Sequence, residues 1–290
     1  MNSAISYRRK YTMNANCWFD YKTVILTGAS SGIGKDLAIK LVKDHGCNII
    51  GIARNIQRLE EVKTELGALG HKFTYYSLDV SKQESWEKLR DELQEKGIQP
   101  DILINNAGVL PKFDKLLNYT VEDIKWAMDI NFYSAVYSMN ALMPTILKSD
   151  SAAIINIASS AALCSLAGTT VYSASKAALK SFTDAAREEC RGKCYIGLFC
   201  PGFTKTNIFR GQGEVSSGAE KAMNFVSTDC DKMVQMIIDG MWKKKANRVL
   251  GADAKMMCEG NKVLGAKFNF ICSQVMRISG LSLFKPVFEK

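Results

Sequence analysis

The chain has 290 residues, 47% of them apolar and 23% charged, with a mean hydropathy of −0.07. That balance excludes a disordered, collagen-like or multi-span membrane chain and leaves room for one large domain or two small ones. The formal charge is +9, but residues 1–22 hold a net +3 and residues 241–290, with ten Lys/Arg against three carboxylates, a net +7; the body between is close to neutral, so no nucleic-acid partner is expected.

Residues 1–20 contain no apolar run of the kind a signal peptide or span needs and read as a flexible leader. Nine cysteines, an odd number scattered from Cys17 to Cys272, fit reduced thiols and a cytoplasmic setting. The two histidines, His45 and His71, complete no zinc-ligand spacing, and no metal site is expected.

From Lys22 onward short β-branched runs alternate with amphipathic stretches, the pattern of parallel strands joined by crossover helices. Strands are expected at 23–27, 48–53, 73–78, 102–105, 153–157, 195–200 and 248–250. Helical periods cover 35–44, 57–69, 81–96, 121–147 and 173–190. The expected fold is α/β: a single-domain, Rossmann-like, doubly wound parallel sheet of about seven strands, spanning residues 21–255. Residues 203–229 show no clean period and are expected to form a lid over the carboxyl edge of the sheet.

Residues 256–290 read as an amphipathic helical extension, with Leu264, Phe268, Ile271, Val275 and Ile278 at steps of three and four. Three readings of that stripe stay open: packing onto the parent domain or a sister subunit, a lid beside a pocket, or peripheral attachment to an anionic membrane. Lys262, Lys267, Arg277 and Lys285 flank it and permit the last.

The first strand runs straight into Gly28, Ala29, Ser30, Ser31, Gly32, Ile33 and Gly34, then into a helix. Such a turn offers free backbone N–H groups and the positive helix end to an anion, and glycines let a pyrophosphate approach. The second strand ends at Arg54, where a site for NAD would place a carboxylate against the ribose 2′-hydroxyl. A guanidinium there pairs with a 2′-phosphate instead, which favours NADP(H). Tyr172 and Lys176 lie four apart on one helix face, where the ammonium is expected to pull the phenol below its ordinary value of about 10. Ser159 follows the fifth strand, whose carboxyl end opens on the same crevice as the glycine turn.

These pieces, TGASSGIG at 27–34, Asp79 and Val80, NNAG at 105–108, Asn131, Ser159, YSASK at 172–176, and Pro201 with Gly202, occur in one order. In that order they resemble the short-chain dehydrogenase/reductase family over residues 22–206, and more loosely to about 252. The resemblance implies that Asp79 and Val80 flank the adenine and that Asn106, Ala107 and Gly108 support the cofactor. It further implies that Asn131 holds helix backbone and a water of the proton relay, and that Thr204 and Thr206, after Pro201 and Gly202, meet the nicotinamide carboxamide. Thr204 replaces the usual apolar residue. Asn131, Ser159, Tyr172 and Lys176 would be the catalytic set, Tyr172 and Lys176 also touching the cofactor.

The expected function is NADP(H)-dependent interconversion of a secondary alcohol and a ketone. Ala161, Leu163, Cys164, Leu166, Val109, Leu110, Phe203, Ile208, Phe209 and Met223 are apolar residues expected around the substrate, which suggests a lipophilic small molecule such as a hydroxysteroid. A 3-oxoacyl reductase of fatty-acid metabolism, with Lys112, Lys115 and Arg210 meeting an acidic carrier, is the alternative. A non-catalytic NADP sensor is a second one. The family resemblance also implies a homo-oligomer.

Overall fold

A computed structural model describes residues 17–205, 227–279, 281 and 284–288. Seven parallel strands form one sheet in the order β3-β2-β1-β4-β5-β6-β7. In chain order the elements are β1 (Thr23–Thr27), α1 (Gly32–His45), β2 (Asn48–Ala53), α2 (Ile56–Glu65), β3 (Phe73–Ser77) and α3 (Gln83–Glu95). Then come β4 (Ile102–Asn105), α4 (Val121–Met128), α5 (Ser134–Ile146), β5 (Ala153–Ile157) and α6 (Thr170–Glu189). The chain continues through β6 (Tyr195–Pro201), α7 (Cys230–Trp242), β7 (Asn247–Leu250), α8 (Ala252–Leu264), α9 (Ala266–Ile278) and the single turn α10 (Lys285–Phe288).

The central strands are apolar at nearly every position because helices cover both faces of the sheet. Alternate residues point to opposite layers. Val24, Leu26, Ile102 and Ile104 pack with Leu37 and Leu41 of α1 and Ile237 of α7. Ile25, Leu103 and Ile154 pack with Trp86 and Leu89 of α3 and Leu142 of α5. Strand order reverses between β1 and β4, which opens a crevice at their carboxyl ends.

Four features depart from the sequence expectation. The leader assigned to 1–20 is packed in its last four residues: Phe19 is fully buried, Trp18 Nε1 donates to the Met241 carbonyl at 2.9 Å, and Asp20 accepts from the Cys17 amide at 2.9 Å and pairs with His45 at 2.8 Å. That pair also brings ligand atoms of Cys17, Asp20 and His45 within 4.8 Å, a cluster that serves here to fasten the chain entry to the end of α1.

The helix expected over 121–147 is two helices separated by a π-helical turn at Asp129–Tyr133, and a single inserted residue of this kind leaves the apolar period almost untouched. The stripe expected as one helix over 261–278 breaks at Gly265, whose φ of 55° ends α8 and lets α9 fold back. Phe268 then rests on Gly260, where a Cβ would stand 2.2 Å from its ring. Finally, α7 occupies a stretch for which the sequence suggested no element. Of the expected lid, 206–226 lies outside the described residues, while its two ends are joined by a parallel bridge between Thr204 and Thr228.

Candidate active site

The crevice at the carboxyl edge is a single cleft of about 530 Å³. The end that holds the glycine turn is built by β1 and α1. Gly28 adopts φ 68°, and a Cβ on Gly34 would meet the Gly28 carbonyl at 2.2 Å, so the turn closes only with glycine at both places. Buried Thr27 ties this turn to β4: its Oγ1 accepts from the amides of Asn106 and Ala107, each at 2.9 Å. Asn106 Nδ2 returns a bond to the Thr27 carbonyl at 3.0 Å.

Ser31, at the N-cap of α1, makes no side-chain cap bond, and the first turn of α1 holds no acidic residue. The positive end of the helix therefore faces the cleft uncompensated, as an anion requires. Two guanidiniums, Arg54 and Arg58, border the same end. Arg58 follows in the first turn of α2, whose start is capped by Asn55 accepting from the Arg58 amide at 2.9 Å.

The other end carries the groups with acid–base chemistry. Tyr172 and Lys176 project from the first turns of α6, and Ser159 from the end of β5; all three border the cleft. Lys176 is 3% exposed, and its Nζ donates to the Ile157 carbonyl at 3.1 Å. Burial drives its pKa down to about 8. Burial pushes the Tyr172 phenol up from its ordinary range, against a smaller lowering from its hydrogen bond with Ser159. The expectation that Lys176 pulls the phenol below about 10 is not met here: burial is the largest influence on the phenol, and the ammonium is turned to a backbone carbonyl.

Asn131 stands behind the wall, 1% exposed on the π-helical turn. Its Oδ1 accepts from the Val109 amide at 2.8 Å, and its Nδ2 donates to the Val109 carbonyl at 2.9 Å and to Ser175 Oγ at 3.0 Å. It therefore joins the β4 loop to α6. Between them Gly108 is tightly placed: a Cβ there would stand 3.1 Å from Lys176 Nζ and 3.2 Å from Asn131 Oδ1.

Gly28, Ser31, Gly32, Ile33, Arg54, Asn106, Ala107, Gly108, Ser159, Tyr172, Lys176, Pro201, Gly202 and Thr204 all border the cleft. Ser30, Gly34 and Asn131 lie beside or behind it. Asp79 and Val80, expected to flank the adenine, are not part of the wall. Val80 sits in the core with its carbonyl accepting from Trp86 Nε1 at 3.0 Å, and Asp79 Oδ1 accepts from Ser81 Oγ at 2.7 Å. Burial would raise the Asp79 carboxyl, but the Ser81 bonds and then the Arg54 charge hold it below its usual range. Thr206 lies outside the described residues.

Among residues expected at the substrate end, Val109, Leu110, Ala161, Leu166 and Phe203 border the cleft. Leu163 and Cys164 do not; they face α8 and α9, with Asn261 Nδ2 donating to the Leu163 carbonyl at 2.8 Å and Cys164 Sγ donating to Asn269 Oδ1 at 3.3 Å. Ile208, Phe209 and Met223 fall outside the described residues. Phe113, Trp126 and Met257 complete the apolar wall and were not foreseen, since each reaches it from a segment with no motif of its own.

Asp253 was not foreseen either. Its Oδ2 accepts from the Phe203 amide at 2.7 Å, and a Cβ on Gly202 would stand 2.2 Å from that oxygen. Its Oδ1 is buried without a hydrogen bond, and burial raises the carboxyl above the usual range. The carboxylate thereby fixes the turn after β6 where that turn borders the cleft.

The sequence profile of the short chain dehydrogenases matches residues 22–216. The chain is 31% identical over 239 residues to a dehydrogenase/reductase SDR family protein 7-like of Drosophila melanogaster, covering 79% of this chain and 72% of the relative. It is 34% identical over 215 residues to 11-beta-hydroxysteroid dehydrogenase-like 2 of Arabidopsis thaliana, covering 73% and 69%. Its fold is similar to that of a short-chain dehydrogenase/reductase from Burkholderia phymatum solved with NAD, at a TM-score of 0.74 and 22% identity over 87% of this chain and 95% of that one. The protein is an α/β oxidoreductase of the Rossmann-like type, and it belongs to the short-chain dehydrogenase/reductase family.

Proposed function

We propose that the protein uses NADP(H) to interconvert a ketone and a secondary alcohol on a lipophilic substrate. The observation that carries this reading is the continuity of the cleft: one space joins the glycine turn and two guanidiniums to Ser159, Tyr172 and Lys176 and then to an apolar wall. A nicotinamide dinucleotide fits the cradle, because the turn at Gly28 and Gly34 excludes side chains and the end of α1 faces it without a carboxylate. Gly28, Ser31, Gly32 and Ile33 would hold its pyrophosphate, and Arg54 with Arg58 the 2′-phosphate. The bound dinucleotide supplies the hydride.

In the direction of reduction, the Tyr172 hydroxyl donates its proton to the substrate oxygen as that oxygen gains charge, breaking the phenolic O–H bond and forming the alcohol. Ser159 Oγ, already an acceptor for the Ala161 amide at 3.2 Å, keeps its own proton for the same oxygen. Lys176, held by the Ile157 carbonyl, would bring its positive charge to the same end of the cleft as the forming phenolate. Asn131 positions both by bonding the Val109 loop to Ser175, whose hydroxyl donates to the Tyr172 carbonyl at 2.7 Å.

Phe113, Trp126, Leu166 and Met257 give the substrate end no cation to grip a carboxylate. The carrier-protein alternative is weaker: Lys112 bonds the Asn118 carbonyl and lies 3.7 Å from Asp123, so its charge is already engaged. A panel of steroid, 3-oxoacyl and aromatic ketones with NADPH tests the reading. Turnover is expected on the bulky neutral ketones; turnover confined to small charged hydroxy acids contradicts it.

A further inference from the structure

The inner faces of α8 and α9 are engaged. Met257 borders the cleft, Asn261 and Asn269 bond the 163–164 segment, and Met276 packs on Phe113 beside Leu166. The helix pair is therefore the outer wall of the apolar end of the cleft. Packing on the parent domain and bordering the pocket, two of the three readings of the C-terminal stripe, are both properties of this inner face.

Among the described residues the outer face has no such partner. Met256, Val263, Phe270, Ile271, Val275 and Ile278 are exposed, Val263 and Ile278 by 80% and 82%. Soluble proteins rarely collect so many large apolar side chains on one exposed face unless something covers it.

Charge identifies the cover. Lys255, Lys262, Lys267 and Arg277 are exposed along the same two helices. Opposed to them are only Asp253, taken up by the Phe203 turn, and Glu259, paired with Lys262 at 2.8 Å. α9 itself carries Lys267 and Arg277 and no carboxylate. A second copy meeting this face symmetrically would set cation against cation. An anionic headgroup layer supplies the opposite sign, with an acyl boundary beneath it for the apolar side chains. Among the described residues no helix is long and apolar enough to cross a bilayer, so the pair would lie in the interface and not span it.

We propose that the outer face of α8 and α9 docks the protein on the surface of an anionic phospholipid bilayer. The wall of the apolar end of the cleft would then rest on the bilayer surface. Docking stands on exposure and charge; only its use in delivering substrate rests on the lipophilic-substrate reading.

Full-length protein sedimented with phosphatidylcholine vesicles, with and without phosphatidylglycerol, tests this. Binding is expected to be at least about tenfold tighter to the anionic vesicles and to weaken with salt. Lys267→Glu with Arg277→Glu should remove the preference. Phe270→Ser with Val275→Ser should weaken binding at least about tenfold while the circular dichroism spectrum and turnover of a water-soluble ketone stay as in the wild type. Absence of pelleting, or equal partition onto neutral and anionic vesicles, overturns the proposal. So does a dimer in the ultracentrifuge that the serine variant dissociates, since a second copy would then cover the face. If either variant fails to fold, the wild-type comparison of the two vesicles decides. A failure of every ketone in the panel leaves the pelleting result unaffected.

Discussion

Replacing Tyr172 with Phe is expected to lower kcat for ketone reduction by roughly 10²–10⁴-fold, the usual contribution of a positioned general acid. The ring stays, and with it the packing at the start of α6; only the oxygen goes. NADPH affinity, followed by fluorescence titration, should stay close to wild type because the end proposed to hold the pyrophosphate is built by Thr27, Gly28 and Gly34 on other elements. A Phe variant with wild-type kcat on a good substrate would remove Tyr172 from the chemistry. A pH profile adds a second readout. Burial raises the Tyr172 phenol, so it remains protonated across the neutral range, whereas Lys176 loses its charge near pH 8. Since kcat/KM reports ionisations of the free enzyme, it should be level below about pH 8 and fall above it. Lys176→Met should be slow throughout and show no such fall.

Seven strands could be placed from the sequence within a residue or two because a parallel sheet covered on both faces reads as short apolar runs, and β1, β4 and β5 are buried at nearly every position. The cleft residues were legible for a related reason: they follow the carboxyl ends of strands, where the chain must turn and where glycines, Ser159 and Pro201 stand out. What the sequence hid is set by contacts distant along the chain. Asp253 meets Phe203 across fifty residues, and nothing local marks it. Asn131 sits on a π-helical turn that the apolar period passes over. The outward face of α9 shared its period with an inward one, so a stripe of apolar residues at steps of three and four predicted a helix without revealing that Ile271, Val275 and Ile278 stay exposed. The direction of the Tyr172 pKa is hidden for a different cause, since spacing shows which groups are neighbours but not how far each is desolvated.

Arg54→Asp is expected to reverse the choice of dinucleotide. The guanidinium follows β2 and borders the cleft together with Arg58, and hydrogen bonds to charged groups contribute about 1.5–3 kcal/mol each. Loss of one such bond alone should lower the kcat/KM ratio of NADPH over NADH by roughly 10–100-fold, and a carboxylate in its place adds repulsion of the 2′-phosphate. Arg58 should retain part of the preference, so Arg54→Asp with Arg58→Ala should fall further than either change alone. NADH turnover should be unaffected or improved, because an Asp at this position can accept from a ribose 2′-hydroxyl. Steady-state kinetics with both dinucleotides on one ketone measures the ratio. A wild type that already prefers NADH, or a variant whose ratio does not move, would assign Arg54 to the solvated loop between β2 and α2 and leave the phosphate to other groups.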